Sequence, residues 1–547
     1  MADTVYQQFR EAAKEAPDNV FLCYPPTPNR DFLPRGAEFT YAEALAAADA
    51  LAIAYRRAGY GEGHRVGLVL GNRPEHFLHL MALNSIGVSC VLINPDYVDD
   101  EMAFAFEFAE CTLVLAHPGN LQSLRNVAAA LKVPVPVTDV ASGLPDLPAP
   151  GRPPGFEPTT DIAREALIIY TSGTTGRPKG CIISNGSCLA GGEKYGKSGG
   201  LSTYRIGQDR VYMVLPAFHM NMSVVTINAM TLTRNCLVVQ DRFRLSTWWS
   251  DIVQSGATTL HYLGIVPPLL LKSDPVPEEK QHKIRFGFGA GVDPSVREAF
   301  EARFGFPLIE TWGMTETSRA IMNNIPPRDM GERAFGRPTS PLEVLVVDEN
   351  DKPVPVGEAG ELLVRAAGPD PRSGFFSGYL KQPEETEKAW RNGWFHTGDI
   401  VWQSQDGMLH FVERRKNIIR RSGENIAAAQ VEDVLIADPR VNSVAVLAVK
   451  DELHDEDVMA CIRLTPGIEA GRATAEAIFE AARGKLQLAK LPAWIAFVDS
   501  IPVTNTQKVR KGLIFAENTD PRNDPRSFDL RDMKRRKPAT AAAEIRD

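Results

Sequence analysis

The sequence predicts an α/β protein: a large N-terminal domain of stacked α/β subdomains plus a small β-rich subdomain, followed by a small α+β C-terminal domain. Three observations predict it. At 547 residues the chain is longer than one ordinary core fills, so a large domain and a smaller one are expected. Through the first 150 residues amphipathic helical stretches alternate with short apolar runs, the pattern of a largely parallel sheet covered by helices. From about Phe335 to Phe411 the pattern changes to short strands joined by turns such as Asn350-Asp351.

Taken in order, 41–60 reads as an amphipathic helix, and 65–70, 88–94 and 112–116 read as buried strands. Residues 141–160, rich in Pro and Gly, read as a surface connector. After Glu413 a unit of about a hundred residues is expected, with helices near 430–437 and 475–486 and strands near 444–449 and 494–498. The expected domains are 1–413, 414–515 and a polar, disordered tail at 516–547 that carries the basic cluster 532–538.

Composition excludes several classes. The formal charge of −8 disfavours a protein that works by gripping a phosphate backbone, so no nucleic acid is expected. There is no apolar run long enough for a membrane span. The N-terminus lacks the basic stretch and apolar run of a secretory signal, which predicts a cytoplasmic protein. Seven scattered cysteines without a C-x-x-C pair argue against a disulfide frame or a structural zinc site.

The strongest motif is Tyr170-Thr-Ser-Gly-Thr-Thr-Gly-Arg-Pro-Lys-Gly180, which follows an apolar run that reads as a strand. Gly173, Gly176 and Gly180 let the backbone approach an anion closely. Thr171, Ser172, Thr174, Thr175 and the peptide N–H groups can donate to it, and Lys179 supplies charge for a polyphosphate. The spacing is not that of a Walker A loop, because only Thr174-Thr175 separate Gly173 from Gly176.

Here the chain resembles the adenylate-forming superfamily, in its acyl-CoA ligase branch. By that resemblance the loop cradles the β- and γ-phosphates of ATP. Further segments in family order carry the likeness. Glu310-Thr-Trp-Gly-Met-Thr-Glu316 resembles the aromatic-Gly-x-Thr-Glu signature, which implies that Trp312 stacks on adenine beside Thr311 and Gly313, Thr315 bonds the α-phosphate and Glu316 helps to hold Mg²⁺. Trp312 stands where the family more often has tyrosine. Pro216-Ala-Phe-His219 resembles the segment whose histidine flanks the carboxylate, and Gly289-Ala290-Gly291 the loop that lines the acyl pocket and supports adenine. Thr397-Gly-Asp399 and Arg414 resemble the ribose contacts, Lys416 the interdomain hinge, and Gly423 a loop that faces nucleotide or coenzyme A. Lys508, in Pro502-Val-Thr-Asn-Thr-Gln-Lys508, resembles the lysine of the mobile C-terminal domain that bridges the carboxylate and α-phosphate, although Gln507 replaces the usual glycine. Glu413 and Asn417 also depart from the family pattern. Glu424-Asn425 and the run from Lys508 to Lys511 add a likeness to carnitine/crotonobetaine-type ligases.

The resemblance implies an ATP- and Mg²⁺-dependent ligase that activates a small-molecule carboxylic acid as its acyl-adenylate and passes the acyl group to coenzyme A, a homodimer being one admissible assembly. The nearest alternative is an adenylating enzyme that loads a carrier protein. A luciferase-like oxygenase and a non-catalytic binding module are the more distant ones. The acid itself is not specified by any motif.

Overall fold

The computed structural model describes residues 2–534 apart from 29, 143–146, 157–158, 172–177, 422–423, 452–454, 484, 504–508 and 517–518. The chain forms two compact units. The first holds Met1–Leu345, Leu363–Thr397 and Gln403–His410, and the second holds Val346–Leu362, Gly398–Trp402 and Phe411–Asp547. The second unit thus takes up two stretches that precede the expected boundary at 413. Strands Leu342–Val347, Ala359–Ala366, Trp394–Gln403 and Leu409–Arg414 each contribute residues to both units, which a linear cut in composition does not register.

The first unit contains a seven-stranded sheet with the spatial order Gly378–Tyr379, Lys179–Ser184, Glu165–Thr171, Ser89–Leu92, Arg65–Val69, Leu113–Ala116 and Val137–Asp139. Pairings among the last five are parallel, and the three central strands are buried on both faces, as runs such as Leu113–Ala116 require. Glu165–Thr171 (β1) and Lys179–Ser184 (β2) form an antiparallel pair in which Thr171 faces Lys179, so both ends of the phosphate-loop motif emerge side by side. An eight-stranded sheet holds Thr259–Leu263 (β3), Phe286–Ala290 (β4) and Leu308–Gly313 (β5) in parallel, with Ala320–Met322 antiparallel at one end. Helix Pro294–Phe304 (α1) crosses from β4 to β5. It starts at Asp293, whose carboxylate accepts the Ser295 N–H at 2.9 Å, and Pro294 occupies the first turn. The edge strand Gly378–Tyr379 (β6) lies antiparallel on β2 and leads into helix Pro383–Ala389 (α2).

In the second unit Glu424–Ala427, Ile418–Arg421, Asp455–Leu464, Trp494–Phe497 and Ser527–Asp529 form one sheet, with Val441–Asp451 antiparallel to Asp455–Leu464. Helices Ala428–Ile436 and Arg472–Arg483 cover one face. Ala475, Ile478, Phe479 and Ala482 recur at helical spacing and are buried with Val446, Val458 and Ile495.

The expected disordered tail is corrected for 519–534. Ser527–Asp529 pairs with Trp494–Phe497, and Leu530 is fully buried. The polar composition hid Phe528, Leu530 and Met533, whose apolar side chains complete the core. Lys534 is buried and donates to Asp457 Oδ1 at 2.6 Å, with Arg421 Nε 3.0 Å from the other carboxylate oxygen. All seven cysteines are free and buried.

Candidate active site

In the first unit, Ser172, Gly173, Thr174, Thr175 and Gly176 lie outside the described residues, but both flanks of their loop are described. Lys179, at the start of β2, extends its ammonium to within 2.8 Å of Glu385 Oε2 on α2 and to 4.6 Å from the Tyr379 ring centroid. Tyr379 Oη donates to Glu316 Oε1 at 3.0 Å. Burial, then the Glu316 carboxylate, push the Tyr379 phenol far above its ordinary value, so it stays protonated and donates. Glu316 is buried, and its backbone carbonyl accepts the Phe376 N–H at 2.9 Å. One short strap after Gly374 therefore carries the groups that touch both Lys179 and Glu316.

The strap is held by main-chain bonds: Ser377 N donates to Ile182 O and Leu380 N to Gly180 O, both at 2.8 Å. Thr386 Oγ1 accepts the Tyr379 N–H at 2.9 Å, tying β6 to the first turn of α2. Gly378 sits at φ +147° with Thr386 only 3.2 Å from where a Cβ would be, so this crossing requires glycine.

The second sheet positions the residues that the resemblance assigns to adenine and the acyl pocket. Thr311 Oγ1 donates to Gly289 O at 3.1 Å, joining the ends of β5 and β4. At Gly289 a Cβ would lie 2.3 Å from Tyr262 O of β3, so only glycine lets the loop at Ala290 and Gly291 sit this close to the sheet. Glu310 lies beneath that loop and accepts the Gly291 N–H. Arg297 of α1 approaches Glu310 Oε2 at 3.3 Å, and both side chains are buried. Burial raises the Glu310 carboxyl to about 7 against the opposing pull of Arg297 and the backbone donors. Trp312 is 7% exposed, its ring 6.2 Å from that of Phe335 and tilted by 32°. Gly313 pairs with Ala320, and the half-buried Thr315 lies on the turn between those strands.

His219 lies just before a π-helical turn, Asn221–Thr226, the kind of local under-winding that recurs at functional sites. The turn is fixed from below: Asn72 Oδ1 accepts the Ala217 N–H at 2.7 Å, and Ser223 Oγ lies 2.9 Å from His76 Nε2.

The second unit gathers alternating charges. Asp399 is 1% exposed and pairs with Arg414 Nε at 2.6 Å. Glu361 accepts the Gly398 N–H at 3.1 Å and pairs with Arg415 at 2.9 Å. Glu413, a departure from the family pattern, accepts N–H groups from Arg414 at 2.8 Å, Asn417 at 3.2 Å and Ala429 at 2.9 Å. Lys416 lies in the tight turn Arg415–Asn417, while Gly423 and Lys508 lie outside the described residues.

Among the described residues no group of three or more His, Cys, Asp or Glu side chains could hold a metal by itself. A magnesium ion fits Glu316 as a single buried carboxylate, oriented on one oxygen, because Mg²⁺ takes most of its ligands from phosphate and water.

Tyr379, Glu385, Arg297 and Glu361 were not singled out in the sequence, and Glu310, which opens a quoted motif, was given no role. The one local signal near Tyr379 and Glu385 is the helix start Pro383-Glu384-Glu385, and no spacing rule connects it to Lys179.

Comparison with known proteins gives the family and the fold. Residues 9–380 match the AMP-binding enzyme family, and 430–508 match the AMP-binding enzyme C-terminal domain. A sulfoacetate–CoA ligase of Cupriavidus necator is 30% identical over 520 residues, covering 93% of this chain and 97% of that protein. A crotonobetaine/carnitine–CoA ligase of Citrobacter koseri is 28% identical over 490 residues, covering 87% of this chain and 92% of that protein. The crystal structure of ATP-bound MatB from Rhodopseudomonas palustris shares the fold, with a TM-score of 0.79 at 22% identity, covering 94% of this chain and 98% of that one.

Proposed function

The chain belongs to the AMP-binding enzyme family, and from that premise we propose how its residues divide one reaction, the ATP-dependent ligation of a carboxylic acid to coenzyme A. The acid attacks the α-phosphorus of ATP, its oxygen becomes part of the acyl-adenylate, and pyrophosphate leaves. The coenzyme A thiol then takes the acyl group and AMP departs.

A carboxylate approaching a polyphosphate brings like charges together, so cations and donors placed where charge develops lower the barrier. Lys179 serves the β- and γ-phosphates with Thr171, Ser172, Gly173, Thr174, Thr175 and Gly176. Glu316 holds Mg²⁺, which when bound neutralises phosphate charge. Thr315 bonds the α-phosphate, Trp312 stacks on adenine beside Thr311 and Gly313, and Gly289, Ala290 and Gly291 line the acyl and adenine side. His219 flanks the carboxylate, Asp399 and Arg414 take the ribose hydroxyls, and Lys508 bridges carboxylate and α-phosphate. Lys416 is the hinge, and Gly423 serves the coenzyme A step.

The observation that carries this reading is the Lys179–Tyr379–Glu316 chain, in which one phenol lies against the phosphate lysine and donates to the metal carboxylate. We place the acid among short polar carboxylic acids, on the names of the two relatives. We place the enzyme in the cytoplasm, a reading supported by seven free, buried thiols. No helix among the described residues is long and apolar enough to cross a membrane.

The test is carboxylate-dependent ATP–pyrophosphate exchange, followed by coenzyme A-dependent AMP release, over short polar, aliphatic and aromatic acids. Exchange with none of them, or thioester formed only on a carrier protein, overturns the reading.

A further inference from the structure

A contact to Lys179 lies on α2, outside every motif that assigned the site. Lys179 is 15% exposed and its ammonium is paired with Glu385 at 2.8 Å, so the cation expected to receive phosphate oxygens already carries a carboxylate. Glu385 is 42% exposed and stands in the first turn of a helix that begins at Pro383, where its charge is also favoured by the helix dipole. Its own partner set is divided: Oε2 faces Lys179, and Oε1 lies 3.8 Å from Lys388. The Lys179 hydrogen bond, ahead of the Lys388 charge, holds the Glu385 carboxyl below its ordinary value, so at neutral pH Glu385 is a carboxylate.

A polyphosphate brought to this ammonium competes with Glu385 for its N–H donors, and the two anions repel each other at that range. We propose that Glu385 is the resident counter-ion of Lys179, exchanged for the β- and γ-phosphates when ATP binds, with Lys388 and solvent receiving the released carboxylate. Tyr379 makes the exchange possible without moving the lysine: its ring face stays against the ammonium at 4.6 Å, and its hydroxyl stays on Glu316. The strap is thereby a specificity device for the number of phosphates. ATP competes with Glu385, whereas AMP, which lacks the β- and γ-phosphates, does not reach Lys179 and leaves the pair closed. This rests on the assignment of Lys179 to those phosphates.

Direct binding tests it without knowledge of the acid. Isothermal titration of ATP and of AMP into wild type, Glu385→Gln and Glu384→Gln is the experiment. Glu384, exposed on the same helical turn, carries the same charge without the contact to Lys179. The expected result is ATP binding tightened by about two- to fivefold in Glu385→Gln, the scale of one partly exposed ion pair. AMP affinity stays unchanged, Glu384→Gln matches wild type, and the gain shrinks as salt rises. Unchanged or weaker ATP binding in Glu385→Gln overturns the exchange, as does an equal gain for AMP or for Glu384→Gln. Absence of pyrophosphate exchange in the wild type overturns the ligase reading instead, so the two failures are separable.

Discussion

Glu310 is the buried acid whose titration the structure makes measurable. Its carboxyl sits beneath the Gly291–Val292 loop, 3.3 Å from Arg297, and burial raises it from 4.5 to about 7. Because the folded value exceeds the unfolded one, the native state holds the proton more tightly. Its contribution to stability is therefore fully present below about pH 4.5 and is lost as pH rises through about 7. At 1.36 kcal/mol per pH unit that interval corresponds to roughly 3 kcal/mol. For a unit of this size a kcal/mol moves Tm by about 1–2 °C, so the titration accounts for about 3–6 °C. Glu310→Gln keeps an oxygen for the Gly291 N–H and removes the titration. The buried Arg297 loses its counter-charge in this variant, lowering Tm throughout the range, but the wild-type-minus-variant slope of Tm between pH 4.5 and 8 isolates Glu310. The assay is differential scanning calorimetry in matched buffers. Arg297→Met is the second arm: it removes the cation that opposes burial and moves the midpoint to higher pH. Identical pH slopes in wild type and Glu310→Gln would refute the reasoning, as would a midpoint displaced downward by Arg297→Met.

Three further outcomes follow from other contacts. Tyr379→Phe removes the hydrogen bond to the Glu316 carboxylate, a charged contact worth about 1.5–3 kcal/mol; the expected effect is a 10- to 100-fold fall in pyrophosphate exchange with a raised Mg²⁺ requirement, and an unchanged Mg²⁺ titration excludes a positioning role. Lys508→Ala is expected to slow adenylation by about 10²–10³ while sparing thioester formation from pre-made acyl-adenylate; equal damage to both half-reactions rejects the assignment. Asp457→Ala strands the buried Lys534 and is expected to cost about 3–5 kcal/mol in thermal unfolding, whereas Lys534→Met, which leaves Asp457 with Arg421, changes stability far less; equal losses in the two variants contradict this account.

The reaction and the family were legible because they rest on contiguous residues. The loop from Thr171 to Lys179 and the segment from Glu310 to Glu316 each bring their chemistry on one strand-to-loop element, where glycines, hydroxyls and charges keep fixed local offsets. The parallel strands were legible for a similar reason, since a run such as Leu113–Ala116, buried on both faces, is apolar without interruption. The polar stretch after 516 misled because three apolar residues, Phe528, Leu530 and Met533, are diluted among charges, and only their common face on the second unit's core gives them weight.

What the sequence determined by itself is therefore the set of groups proposed for phosphate, metal and carboxylate, and the kind of sheet that presents them. Only the tertiary structure decided what each group faces before any substrate arrives. Pairing of β6 with β2 sets Tyr379 between Lys179 and Glu316, and α2 delivers Glu385 to the same ammonium from 206 positions along the chain. Likewise the crossover helix α1 brings Arg297 to Glu310 beneath the Gly291 loop. Side-chain periodicity records which face of an element is apolar. It does not record which distant element will cover that face, and the charge that a buried group feels depends on that neighbour.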